Sequence, residues 1–187
     1  MNEKSTPETP RRPERVALAN LAGSVGEFLL NDMALAGAAY ERHGKAENPI
    51  AFERVDAPDE PPGFDAIVLA LPAAEPLPED LLASLSQTTA VYAACVCEKS
   101  APEDALPLLS SLEQACDQHE LVWRGGMAIG NAEVLLAFAH MPRLGFWRRP
   151  TSEGVDQLLF AIRCGQPAGR VPIRQGWLRL LRARLSS

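Results

Sequence analysis

Three stretches of the chain carry nearly unbroken apolar character, and each is bounded by turn residues. DAIVLALP (65–72), TAVYAACVC (89–97) and LVWRGGMAIG (121–130) read as strands. Short apolar runs of this length, rich in branched residues, fit strands of a parallel sheet buried on both faces. ERVALANLA (14–22) alternates and then turns apolar, which predicts a first strand, and IAFERV (50–55) reads as a weaker one.

Between these runs the apolar period changes to that of a helix. In VGEFLLNDMALAGAAYERHG (25–44), Phe28, Leu29, Met33, Leu35 and Ala36 recur at helical spacing, and Gly44 is placed as the stop. PEDLLASLSQ reads as a helix with Pro78 in its first turn, and APEDALPLLSSLEQACDQHE as another that tolerates Pro107 near its start. NAEVLLAFAHM, EGVDQLLFAIRCG and IRQGWLRLLRARL read as further helices. Five strands alternating with helices predict an α/β domain with an open parallel sheet and right-handed crossovers.

The first thirteen residues, with Pro7, Pro10 and Pro13 among Thr, Glu and Arg, predict a disordered tail (1–13). The folded domain is expected over 14–168 and a basic C-terminal helix over 169–187. Charge is unevenly placed. Residues 143–187 hold nine Arg against Glu153 and Asp156, a surplus of seven, so residues 1–142 carry −13 of the net −6. A basic arm on an acidic body can meet nucleic acid, an anionic surface, an acidic partner or the body itself. No aromatic interleaving or motif accompanies the arginines, so the nucleic-acid signal is weak.

No apolar run reaches the roughly eighteen residues that cross a bilayer, and the polar N-terminus is unlike a signal peptide. These features predict a soluble, cytoplasmic protein with no transmembrane segment. Cys95, Cys97, Cys116 and Cys164 lack metal or redox spacing and are expected as reduced structural thiols. His43, His119 and His140 are scattered, and no metal site is expected.

In an open parallel sheet the ligand lies beyond the carboxyl ends of the strands, where strand order reverses. That selects the loops 22–27, 71–77, 97–102 and 130–133. Gly23, Ser24 and Gly26 can form a turn that presents backbone N–H groups to a phosphate at a helix start. A bare connection between strand and helix has the same composition. WRGGMAIG raises its own question, because glycine inside a strand marks either a bulge or a close approach of ligand or backbone.

From Phe64 onward the chain resembles the flavodoxin-like NAD(P)H-dependent FMN reductase family. The resemblance rests on HELVWRGGMAIG, on the preceding helix DALPLLSSLEQACDQ, and on VPIRQGW near the end. It implies a five-stranded sheet in the order 2-1-3-4-5 with FMN above the first, third and fourth strands. It also implies NAD(P)H as electron donor, a small-molecule electron acceptor and a homodimer. On this resemblance Gly23, Ser24 and Gly26 would hold the phosphate. Pro72, Ala73, Cys97 and Glu98 would form backbone walls beside the ring, and Gly125, Gly126 and Gly130 would serve backbone shape.

Three loops depart from the family pattern. Glu27 follows the Gly23–Ser24 turn closely, where a carboxylate would oppose a phosphate. Ala73 and Ala74 stand where an aromatic is usual, and Glu98 and Lys99 replace a glycine and an aromatic. Two functions follow as expectations. One is an FMN-dependent NAD(P)H oxidoreductase; the other is a non-catalytic flavodoxin-like scaffold that has lost FMN and acts through protein partners. An unrelated mononucleotide binder built on Gly23–Gly26 lacks a full fingerprint.

Overall fold

The computed structural model describes residues 11–44, 47–55, 63–78, 81–83 and 85–175. Six strands form one sheet: β1 Arg15–Asn20, β2 Ala51–Val55, β3 Ala66–Pro72, β4 Ala90–Val96, β5 Val122–Ile129 and β6 Gly169–Ile173. All neighbours run parallel, in the order β2-β1-β3-β4-β5-β6. The expected order 2-1-3-4-5 is therefore present and is extended by one strand.

The helices are α1 Gly23–Gly44, α2 Leu106–Gln118, α3 Glu133–Ala137 and α4 Arg149–Arg163, with a 3-10 turn at Pro102–Ala105 before α2. Period-two alternation divides the sheet between two cores. Val16, Leu18, Val68, Tyr92 and Met127 face α1 and α4, whereas Ala17, Ile67, Leu69, Val91 and Cys95 face α2. Every central position is thus covered, which explains why β3 and β4 read as continuous apolar runs.

Three sequence expectations change. Residues 169–173, expected within the C-terminal helix, form β6 as an edge strand. Its exposed GRVPI pattern hides it from an apolar count, and Pro172 is tolerated at an edge. The remainder of that expected helix, 176–187, lies outside the described residues.

The helix expected over PEDLLASLSQ is replaced, among its described residues, by single turns. Leu81 donates to the Pro78 carbonyl at 3.1 Å and Leu85 to that of Leu82 at 3.2 Å. Leu81 and Leu82 are buried on the α2 side, so the segment fills the core without helical continuity. The helix expected over 131–141 shortens to α3, followed by turns. Pro107 does sit within the first two positions of α2, as its tolerance required.

Residues 1–10 of the expected disordered tail lie outside the described residues. Within 11–13, Arg12 pairs with the buried Glu41, and Pro13 is buried.

Candidate functional site

The switch in strand order falls between β1 and β3, whose carboxyl ends open on the same side as that of β4. At the end of β1, the Asn20 side chain organises the turn. Its Oδ1 accepts the Ala22 N–H at 3.0 Å, and its Nδ2 donates to the Gly23 carbonyl at 3.0 Å. This local competition with helical bonding is a common use of Asn at a helix entry. Gly23 begins α1 at φ +58°, a conformation that L side chains rarely adopt.

The three phosphate candidates separate here. Gly23 and Ser24 are exposed at the helix start, and no acid stands in the first turn. Gly26 is buried. Its N–H donates to the Ala22 carbonyl at 3.2 Å, and a Cβ on it would stand 2.1 Å from Asn20 Oδ1. This close packing lets the helix close over the Asn20 amide. Glu27, expected to oppose a phosphate, pairs instead with Arg54 of β2 and accepts a hydrogen bond from Asn31 at 2.9 Å.

A cavity of about 430 Å³ lies at the ends of β3 and β4. Pro72, Ala73, Cys97 and Glu98 all line it, so the four residues expected beside a ring share one space. Gly23, Ser24 and Gly26 are not among its walls. They stand one strand away from β3 and two from β4, a separation of about 5–10 Å at the usual strand spacing.

Backbone bonds tie the cavity's loops together. Ala73 N–H donates to Val96 O at 2.8 Å, and Cys97 N–H to Ile129 O at 2.8 Å. The loop after β5 returns the bond, with Ala132 N–H on Cys97 O at 2.9 Å and Asn131 N–H on Ser100 O at 2.9 Å. Gly130 belongs to this seam, since a Cβ there would meet the backbone of Pro102 at 2.7 Å. It therefore shapes the backbone, as does Gly126, whose Cβ would lie 2.4 Å from Ala93 O.

Three carboxylates, Glu75, Glu98 and Asp104, line the cavity against one cation, Lys99. Lys99 is drawn toward Glu133 at 3.9 Å. The Cys97 thiol is held above its ordinary value, first by burial and then by the charges of Asp104 and Glu103, against an opposing hydrogen bond from Ser100. Burial pushes Cys95 and Cys116 up to about 12. These groups are neutral thiols near pH 7 and unsuited to nucleophilic work.

The cavity's chemistry is accordingly small-residue and backbone walls with an acidic rim. Sequence reading reached Glu98 but passed over Glu75 and Asp104. Their only signal was position: each lies within eight residues past a strand end. Compared with known proteins, the chain matches no family model and no curated protein. Among the described residues, no helix is long and apolar enough to cross a membrane.

Proposed function

We propose that the chain is an FMN-dependent, NAD(P)H-linked oxidoreductase-related protein passing electrons to a small acceptor, with its site at the carboxyl ends of β1, β3 and β4. The observation that carries this reading is the gathering of Pro72, Ala73, Cys97 and Glu98 around one cavity next to the switch point.

The residues present fit the group at both ends. Exposed Gly23 and Ser24 at the start of a 22-residue helix, with no acid in its first turn, favour a phosphate there. Small walls at Ala73 and Ala74 leave room for a flat ring. When bound, FMN supplies the hydride and electron chemistry, so no acid, base or nucleophile of the chain has to react.

The chain's own residues would then orient and tune. Asn20 fixes the phosphate turn, and the bonds from Ala73 to Val96 and from Cys97 to Ile129 hold the ring walls at fixed spacing. The acidic rim disfavours negative charge on the ring, which lowers the tendency of the bound group to accept electrons. A homodimer accords with Leu144, Phe146 and Phe160, each more than 60% exposed, and a cytoplasmic setting accords with this reading.

A second reading, a scaffold that has lost FMN and acts through partners, is favoured by the same rim, because Glu75, Glu98 and Asp104 oppose an anionic cofactor. The visible absorption spectrum of the purified protein, followed by FMN titration, decides between them. Yellow colour or saturable micromolar binding, with NAD(P)H oxidation in the loaded protein, is the expected result. A colourless protein indifferent to FMN establishes the scaffold reading.

A further inference from the structure

The glycine-rich strand does more than avoid clashes. Along β4 and β5 the pairing runs from Val91 with Trp123 directly to Tyr92 with Gly125, which leaves Arg124 without a partner on β4. Arg124 is the extra residue of a β-bulge. Gly125 takes φ +97°, and a Cβ there would stand 2.3 Å from the Gly169 carbonyl, so this bulge needs glycine. The Arg124 carbonyl accepts the Ala168 N–H at 2.6 Å, which pins the bulged backbone to the chain entering β6.

A bulge re-aims a side chain. Here it delivers the Arg124 side chain to a second cavity, of about 840 Å³, at the amino ends of the strands and thus at the opposite edge from the switch point. Arg124 makes no hydrogen bond or ion pair among the described residues, and its Nε is buried without a partner. Its charge acts on the hydroxyl of Tyr92, which also lines the cavity.

The other charges there are already engaged. Asp65 accepts the Glu14 and Arg15 backbone N–H groups at 2.8 and 3.0 Å. Arg12 pairs with Glu41, and Arg11 with Glu14 at 3.3 Å. Three arginines and the Asp65 carboxylate therefore surround the space, and Arg124 has no ion-pair partner among the described residues. Arg124 is half-buried, and its shielded Nε, which has no acceptor among the described residues, is satisfied when a ligand oxygen supplies one.

We propose that this amino-end cavity binds a phosphate-bearing small molecule of nucleotide size, with its phosphate on the Arg124 guanidinium. The Arg124 guanidinium fork matches phosphate oxygens in bidentate geometry. The body of the ligand lies against Ala90, Val122 and Thr88. The site is independent of any flavin at the carboxyl ends.

Calorimetric titration of the full chain with AMP, with inorganic phosphate and with uncharged adenosine tests the proposal. Saturable AMP binding, weaker phosphate binding and none for adenosine are expected. Arg124→Gln should weaken AMP binding by about tenfold or more, in keeping with loss of a charge-assisted hydrogen bond. Arg124→Lys, which keeps the charge and loses the fork, should fall between.

Thermal unfolding without ligand shows that both variants fold, and Arg174→Gln, exposed past the carboxyl end of β6 and outside both cavities, should bind AMP like the parent. Absence of AMP binding, equal binding of adenosine, or unchanged affinity in Arg124→Gln overturns the proposal. FMN is itself a nucleotide-sized phosphate ester, so FMN titration of Arg124→Gln separates the sites: affinity equal to the parent keeps the flavin away from this cavity.

Discussion

Asp32, buried on α1, is bound through Oδ1 by Arg148 at 2.7 Å, and its other oxygen is taken by Arg143 at 3.0 Å. Arg143 also reaches Asp156 of α4 at 2.6 Å, and the Arg148 guanidinium lies 4.7 Å from the Phe28 ring centre. One carboxylate thereby fastens the segment that leads into α4 onto α1. Asp32→Ala takes from Arg148 its only carboxylate among the described residues, leaving it just the Ala139 and Met141 carbonyls, and takes one of two from Arg143, and a loss of about 3–5 kcal/mol is expected from chemical denaturation. Asp32→Asn, which keeps a carbonyl oxygen, should lose less.

Glu41 closes the other end of α1 in a similar way. Burial pushes its carboxyl up, but hydrogen bonds from Arg163 and Arg12 and the Ile50 N–H outweigh this and hold it below its ordinary value of 4.5. A carboxyl lowered in the folded state stabilises fully above its unfolded value, and that stability is lost as pH falls through the folded one. Unfolding free energy should therefore decline below about pH 4.5. Glu41→Gln should flatten that decline, and an unchanged acid limb in the variant would place the titration elsewhere.

These contacts were illegible in the sequence for a physical reason: Asp32 and Arg148 are 116 residues apart, and neither sits in a motif. What could be read was local. The apolar runs of β3 and β4 announce burial on both faces, and the helical period of α1 is unbroken through Ala36. β6 escaped because an edge strand needs no apolar alternation, as its exposed Gly169 and Arg170 show. Of the candidate site, the cavity's lining follows from topology, since residues just past β3 and β4 stand there. The roles of Gly26 and Arg124 depend on an amide one turn away and on a bulge, which spacing does not encode.

Two glycines separate backbone crowding from side-chain crowding. Gly126→Ala drives a Cβ to 2.4 Å from the carbonyl of Ala93 in the adjacent strand, and backbone in a sheet centre has little room to yield. A loss of about 1–3 kcal/mol or more is expected. Gly154→Ala in α4 meets the Ile173 side chain, at 2.5 Å from Cδ1 and 2.9 Å from Cγ1, and no backbone, so the contact can be relieved by a side-chain rotation. The helical preference for Ala over Gly, about 1 kcal/mol, should offset much of that cost. Denaturation midpoints of the two variants should differ clearly, with Gly154→Ala near the parent.

Both ends of the proposed FMN site respond to charge in the same sense: negative charge added at either weakens binding, and negative charge removed tightens it. Ser24 is exposed in the first turn of α1, where the helix offers partial positive charge and no acid competes. Ser24→Asp adds a carboxylate at that point and should weaken FMN binding by about tenfold while leaving thermal stability near the parent, because acids suit helix starts. Glu98→Gln removes one of three rim carboxylates beside the ring and should tighten FMN binding and raise its reduction potential. Fluorescence titration reads the affinities, and a spectroelectrochemical titration reads the potential. If Ser24→Asp binds FMN like the parent while Glu98→Gln binds more tightly, the phosphate lies away from α1 and only the ring assignment stands. If neither variant differs from a parent that binds, the flavin occupies another part of the molecule.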